Sequence, residues 1–79
     1  MLSDDGAKVV QLILNELDTG LRVLPTEISL KDLESKSHVR AQNIGMAFNP
    51  YIDAPLLAKG IEARKCGTPV RIQLKKLIA

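Results

Sequence analysis

Aromatic residues are nearly missing from this chain: it holds one Phe, one Tyr and no Trp in 79 positions. That scarcity excludes a stacking platform for single-stranded nucleic acid, which needs several exposed rings. It also leaves the core to be built from Leu, Ile, Val and Ala around Phe48 and Tyr51. Cysteine and histidine occur once each, at Cys66 and His38. One cysteine makes an intrachain disulfide impossible, and two soft ligands are too few for a zinc site, so neither a metal nor any other cofactor is expected. No apolar run approaches the roughly 18 residues of a membrane helix, and the opening MLSDDG is acidic where a signal peptide is basic. The expectation is a protein of the cytoplasm or nucleoid with no membrane partner. Also lacking are a glycine-rich phosphate loop, a paired ligand motif and a nucleophile elbow. Asp32 and Glu34 stand close together, but carboxylates on a solvated helix read as surface charge, so catalysis is not expected.

What is present fits one small domain over residues 1–79, because a chain this short buries only about 60 to 70 % of its unfolded surface and cannot support two cores. The net charge of +2 hides an asymmetry. Residues 1–36 carry four basic against seven acidic side chains, a balance of −3, and residues 37–79 carry seven against two, a balance of +5. A basic half of this kind is the footprint of a surface offered to a polyanion, and it is also compatible with a merely solvated face.

The hydrophobic spacing predicts the elements in turn. In DDGAKVVQLILNELDTG, Val10, Ile13, Leu14 and Leu17 recur at helical spacing, with Val9 and Leu12 widening the stripe. Ser3 or Asp5 is the expected cap and Gly20 the expected left-handed stop. LRVLP reads as a short extended piece closed by Pro25. ISLKDLESK reads as a second helix starting at Ser29, with Asp32 in the capping-box position and Ile28 and Leu33 as a hydrophobic staple. Ser35 to His38 offer a turn that has no glycine. A third helix then places Ala41, Ile44, Gly45 and Phe48 on one face and Gln42, Met46 and Asn49 on the other, and it stops before Pro50. Met46 is expected to pack under the NPYIDAP segment. In YIDAPLLAKG, Asp53 is the expected cap of a short helix with Pro55 in its first turn, ended by Gly60. Finally Ile61 and Ala63 alternate with Glu62 and Arg64, and Val70, Ile72 and Leu74 with Arg71, Gln73 and Lys75. The two alternating runs around CGTP predict a β-hairpin with one aliphatic and one basic face. Cys66 at its tip has no base partner nearby in sequence and reads as an incidental thiol, while Lys75 and Lys76 can simply protect a strand edge.

The run SLKDLESKSHVRAQNIGMAF, residues 29 to 48, resembles a helix-turn-helix, with Leu33, Val39, Ile44 and Ala47 at the apolar positions that lock its two helices. It departs from that pattern at Glu34, where a small residue is usual, and at His38, where the turn usually has Gly. With the hairpin that follows, the whole chain resembles the winged helix-turn-helix family, apart from the NPYIDAP insertion. The resemblance implies an α+β, mainly helical fold: a three-helix core with a C-terminal β-hairpin wing. It also implies binding to duplex DNA, in transcription regulation or in replication. By that likeness the third helix enters the major groove and the wing touches the backbone or the minor groove. Gln42 and Asn43 become base readers, since a carboxamide pairs with adenine N7 and N6 together. Arg40 reads guanine or clamps a phosphate, Ser37 donates to phosphate, and Arg64, Lys65 and Arg71 neutralise phosphates. A modest single-domain interface implies a homodimer or a larger assembly. The alternative from another class is a winged helix used for protein interaction through an apolar patch of Tyr51, Ile52, Leu56 and Leu57. Charge placement separates the two. DNA binding predicts Arg40, Arg64, Lys65 and Arg71 on one face with Gln42, and protein interaction predicts a neutral third helix.

Overall fold

Seven regular elements follow one another in the computed structural model, which describes residues 1–78: α1 (Leu2–Asp18), β1 (Thr26–Ser29), α2 (Leu30–Ser37), α3 (Ala41–Ala47), α4 (Asp53–Ala58), β2 (Ile61–Cys66) and β3 (Arg71–Lys76). The strands form one antiparallel sheet in the order β1-β3-β2. The architecture is α+β and mainly helical. No helix among the described residues is long and apolar enough to cross a membrane.

α1 starts one turn earlier than its polar residues suggest. Met1 occupies the cap position without a side-chain bond, so neither Ser3 nor Asp5 caps it. Asp4 and Asp5 instead sit in the first turn, where the helix dipole favours carboxylates. Its buried face is Gly6, Val9, Val10, Ile13 and Glu16, so Leu14 and Leu17 are only half-buried. The stripe is turned toward a charged residue, a feature that apolar spacing does not reveal. Gly20 closes the helix at φ +78°, as expected. The extended piece falls later than LRVLP: β1 begins after Pro25, and residues 21–25 form a bent loop.

α2 is capped as its sequence requires, with Ser29 Oγ accepting from the Asp32 N–H at 3.0 Å. The helix runs on through Ser37, and His38 ends it at φ 63° in the left-handed region usually held by glycine. The four interlocking residues Leu33, Val39, Ile44 and Ala47 are all buried. After α3 the chain kinks at Asn49 (φ −114°, ψ 120°), and the Asp53 N–H bonds back to the Phe48 carbonyl. Asp53 opens α4 but does not cap it. Its carboxylate instead accepts from Asn49 Nδ2 at 2.7 Å.

The sheet packs its aliphatic side on the helices. Ile28 pairs with Ile72 and Ala63 with Leu74 across the strands, and Ile28, Ile61, Ile72 and Leu74 are buried with Val9, Ile13, Leu33, Ile44, Ile52 and Leu56. Ile52 and Leu56 are fully buried. The apolar patch expected around Tyr51 therefore shrinks to Tyr51 and Leu57, because the kink after α3 turns the other two into the core.

Candidate nucleic-acid interface

The hairpin and α3 meet through Lys65. Strand parity puts Lys65 on the same face as Ile61 and Ala63, toward the helices, and Arg64 and Cys66 on the other. Its Nζ donates to the Gly45 carbonyl at 3.2 Å and lies 5.5 Å from the centroid of the Phe48 ring, a cation–π contact. The lysine thus holds the β2–β3 hairpin against the C-terminal half of α3.

This contact leaves an open groove of about 410 Å³ between the start of α2, the outer face of α3 and the hairpin turn. Leu30, Gly45, Pro69 and Val70 make its walls, and Lys31 and Gln42 stand on it. A second hollow at the hairpin tip shares Leu30, Gly45 and Val70 and adds Lys65 and Cys66. The backbone fixes this geometry, since the Leu30 N–H donates to the Val70 carbonyl at 3.2 Å and ties the hairpin turn to the first residue of α2. Gln42 and Met46 on α3, and Asn49 at the kink beyond it, are exposed. Met46 is 52 % exposed, so it does not pack under NPYIDAP; the kink carries that segment away from it.

The expected site residues divide. Arg40 at the N-cap of α3, Gln42 on α3 and Lys65 on the hairpin face that meets it are exposed, and Asn43 is half-buried. Ser37 is already engaged: its hydroxyl donates to the Leu33 carbonyl and accepts from the Val39 N–H, which leaves no proton for a phosphate. Arg71 lies on the outer face of the sheet, where its Nε donates to Glu27 Oε1 at 3.0 Å while Gln73 donates to Oε2 at 2.9 Å. These bonds, Gln73 first and Arg71 second, hold the Glu27 carboxyl below its ordinary value. Arg64 is also on that outer face, in a hollow with Asn49, Asp53 and Glu62. The four basic residues therefore do not share one face with Gln42. Lys31, which carries positive charge on the groove, was not among the expected residues, because its place depends on the Ser29 cap and on the hairpin turn docking beside it.

A carboxylate sits at the start of α3. Glu34 Oε2 accepts the Ala41 N–H at 3.1 Å, which gives the departure from a small residue at position 34 a physical role as a cap supplied from α2. Deeper in, Glu16 is buried and accepts from Arg22 Nε and Lys36 Nζ, both at 2.9 Å. The Lys36 bond is the main cause of its carboxyl lying below the ordinary value; burial opposes it and Arg22 adds to it. This triad joins α1 to α2, and Arg22 continues to the Glu27 carbonyl of β1, so it holds the scaffold on which α3 rests. Among the described residues no group of three His, Cys, Asp or Glu side chains is placed to hold a metal ion.

Comparison of the chain with family models, with curated proteins and with solved structures gives no match.

Proposed function

We propose that this domain is a winged helix that binds duplex DNA, with α3 in the major groove and the β2–β3 hairpin beside it. The observation that supports this reading is the shared groove, in which Gln42 of α3 and the hairpin-turn residues Pro69 and Val70 line one open surface with Lys31 and Lys65 on it. Gln42 is the base reader in this reading, and Arg40, Lys31 and Lys65 supply the phosphate contacts that position it. Arg64 and Arg71 belong to the outer face of the sheet, and the Arg71 charge is already balanced by Glu27. The domain measures 31 Å in its longest dimension, close to one turn of B-DNA at about 34 Å, so one copy covers a single half-site. A second copy on a two-fold site is the expected route to tight binding in transcription or replication.

Fluorescence anisotropy of a labelled random 20-base-pair duplex, titrated at several salt concentrations, tests the reading. Each of Lys31→Ala, Arg40→Ala and Lys65→Ala is expected to lower the slope of log K against log salt by about one, and Arg71→Ala to leave it nearly unchanged. Absence of binding at low salt rejects the reading. It then favours the second one, a protein-interaction module, for which the specific observation is a cleft of about 360 Å³ where Tyr51, Pro50 and Pro55 meet α1.

A further inference from the structure

We infer that the groove beside α3 selects A·T over G·C base pairs, with Gln42 pairing to adenine and the wall of Leu30, Val70 and Gly45 receiving the thymine methyl group. The inference rests on the DNA-binding reading and names the sequence class that this surface takes.

Ser29 Oγ accepts from the Asp32 N–H and Lys65 Nζ donates to the Gly45 carbonyl, so the fold holds both in place while each keeps a donor to offer. Lys31 belongs to the first turn of α2, the helix that crosses the phosphate backbone in this kind of docking. Gln42, exposed on α3, is the polar side chain that this helix itself brings to the groove. Its carboxamide offers one donor and one acceptor side by side, the complement of adenine N6 and N7. The surroundings of Gln42 decide what the partner base presents. Val70 is 39 % exposed, and Met46, one turn along α3 from Gln42, is 52 % exposed. Gly45 bears no side chain, and a Cβ there would have Leu30 Cδ1 as its nearest neighbour at 3.8 Å, so a base edge approaches the helix backbone freely. Thymine is the base whose major-groove edge carries an apolar group, and a methyl against Val70 and Leu30 matches that wall. A G·C pair presents the guanine N7 and O6 acceptors and the cytosine amino donor instead. The cytosine amino group, pressed against this wall, loses its water without gaining a partner, since no carboxylate lines the groove to accept from it. Selection therefore has an attractive part at Gln42 and a repulsive part at the wall.

The test uses the full chain with three 20-base-pair duplexes: one with a central A·T tract, the same tract with every thymine replaced by deoxyuridine, and one with a central G·C tract. The A·T duplex is expected to bind about tenfold or more tighter than the G·C duplex. Deoxyuridine, which lacks only the methyl, is expected to lose a few-fold. Gln42→Ala is expected to abolish most of the A·T preference, and Val70→Ser to make thymine and deoxyuridine bind alike. Val70 is in the exposed turn and its tie to Leu30 is through the backbone, so that variant keeps the fold. Equal binding to the A·T and G·C duplexes, with salt-dependent affinity intact, overturns the inference and leaves DNA binding standing. An A·T preference that ignores both deoxyuridine and Gln42→Ala also overturns it, since the tract is then read through minor-groove shape. Failure to bind any duplex removes the underlying reading and the inference with it.

Discussion

Replacing Gly6 by Ala tests how the kinked segment after α3 meets α1. A Cβ built on Gly6 falls 2.5 Å from Tyr51 Cβ and 2.7 Å from the Tyr51 carbonyl oxygen, whereas unstrained carbon contacts lie near 3.5–4.0 Å. Neither atom is the end of a flexible side chain, so relief requires α1 and the Phe48–Ile52 segment to separate, at the expense of a core that includes Val9, Phe48 and Ile52. Overpacking of this kind costs about 1–3 kcal/mol, and Ala returns up to about 1 kcal/mol through its better helix propensity. The expected net loss is about 1–2 kcal/mol, with the melting temperature falling by roughly 4–8 °C per kcal/mol for a domain of this size. Gly45→Ala in α3 is the internal control. Its Cβ meets nothing closer than Leu30 Cδ1 at 3.8 Å, so the propensity gain stands alone and stability is expected to rise by up to about 1 kcal/mol. Urea denaturation followed by circular dichroism reads both variants. A Gly6→Ala protein as stable as the parent, or two shifts of the same sign, refutes the packing described for Tyr51.

Substitutions at three further positions probe other joints of the molecule. Glu16→Gln removes the charge shared by Arg22 and Lys36 and is expected to cost about 2–3 kcal/mol at neutral pH by thermal melting. Because the Glu16 carboxyl lies below its ordinary value of 4.5 when folded, its contribution is fully present above that pH and is lost as pH falls through the depressed value. The variant should lack that part of the acid destabilisation of the parent. His38→Val places a β-branched residue at φ 63° and is expected to cost at least about 1 kcal/mol, while His38→Gly is neutral or stabilising; equal stabilities in denaturant contradict the left-handed turn. Glu34→Gln keeps an acceptor for the Ala41 N–H but removes a negative charge at the start of α3. It is expected to change stability by under about 1 kcal/mol and to raise non-specific duplex affinity by a few-fold at low salt.

Features set by neighbours in sequence were legible from the chain alone. The Ser29 cap, the Gly20 and Gly60 stops and the alternation on either side of CGTP each depend on residues within a few positions. The buried set Leu33, Val39, Ile44 and Ala47 came with the resemblance of residues 29 to 48 to a helix-turn-helix. Glu16 was not legible as a buried residue, because one of its partners, Lys36, lies 20 positions away. Nor was the approach of Tyr51 to Gly6, which depends on the direction the chain takes after Asn49. Lys65 is a different case. It has the same parity as Ile61 and Ala63, so the hairpin pattern already contained its inward orientation, and the grouping of Arg64, Lys65 and Arg71 by charge overrode it. Ser37 and Arg71 were read by residue type alone, and hydrogen bonds inside the fold engage them both.

The most direct test of the α3 and wing interface is a titration of the 15N-labelled chain with a 20-base-pair duplex at low salt, followed through backbone amide shifts. The account predicts the largest changes at Lys31, Gln42, Gly45, Met46, Gly67 and Val70, with little change at Ser3, Gln11 and Tyr51. Shifts centred on the Tyr51 cleft, or none at all with the protein folded, would contradict it.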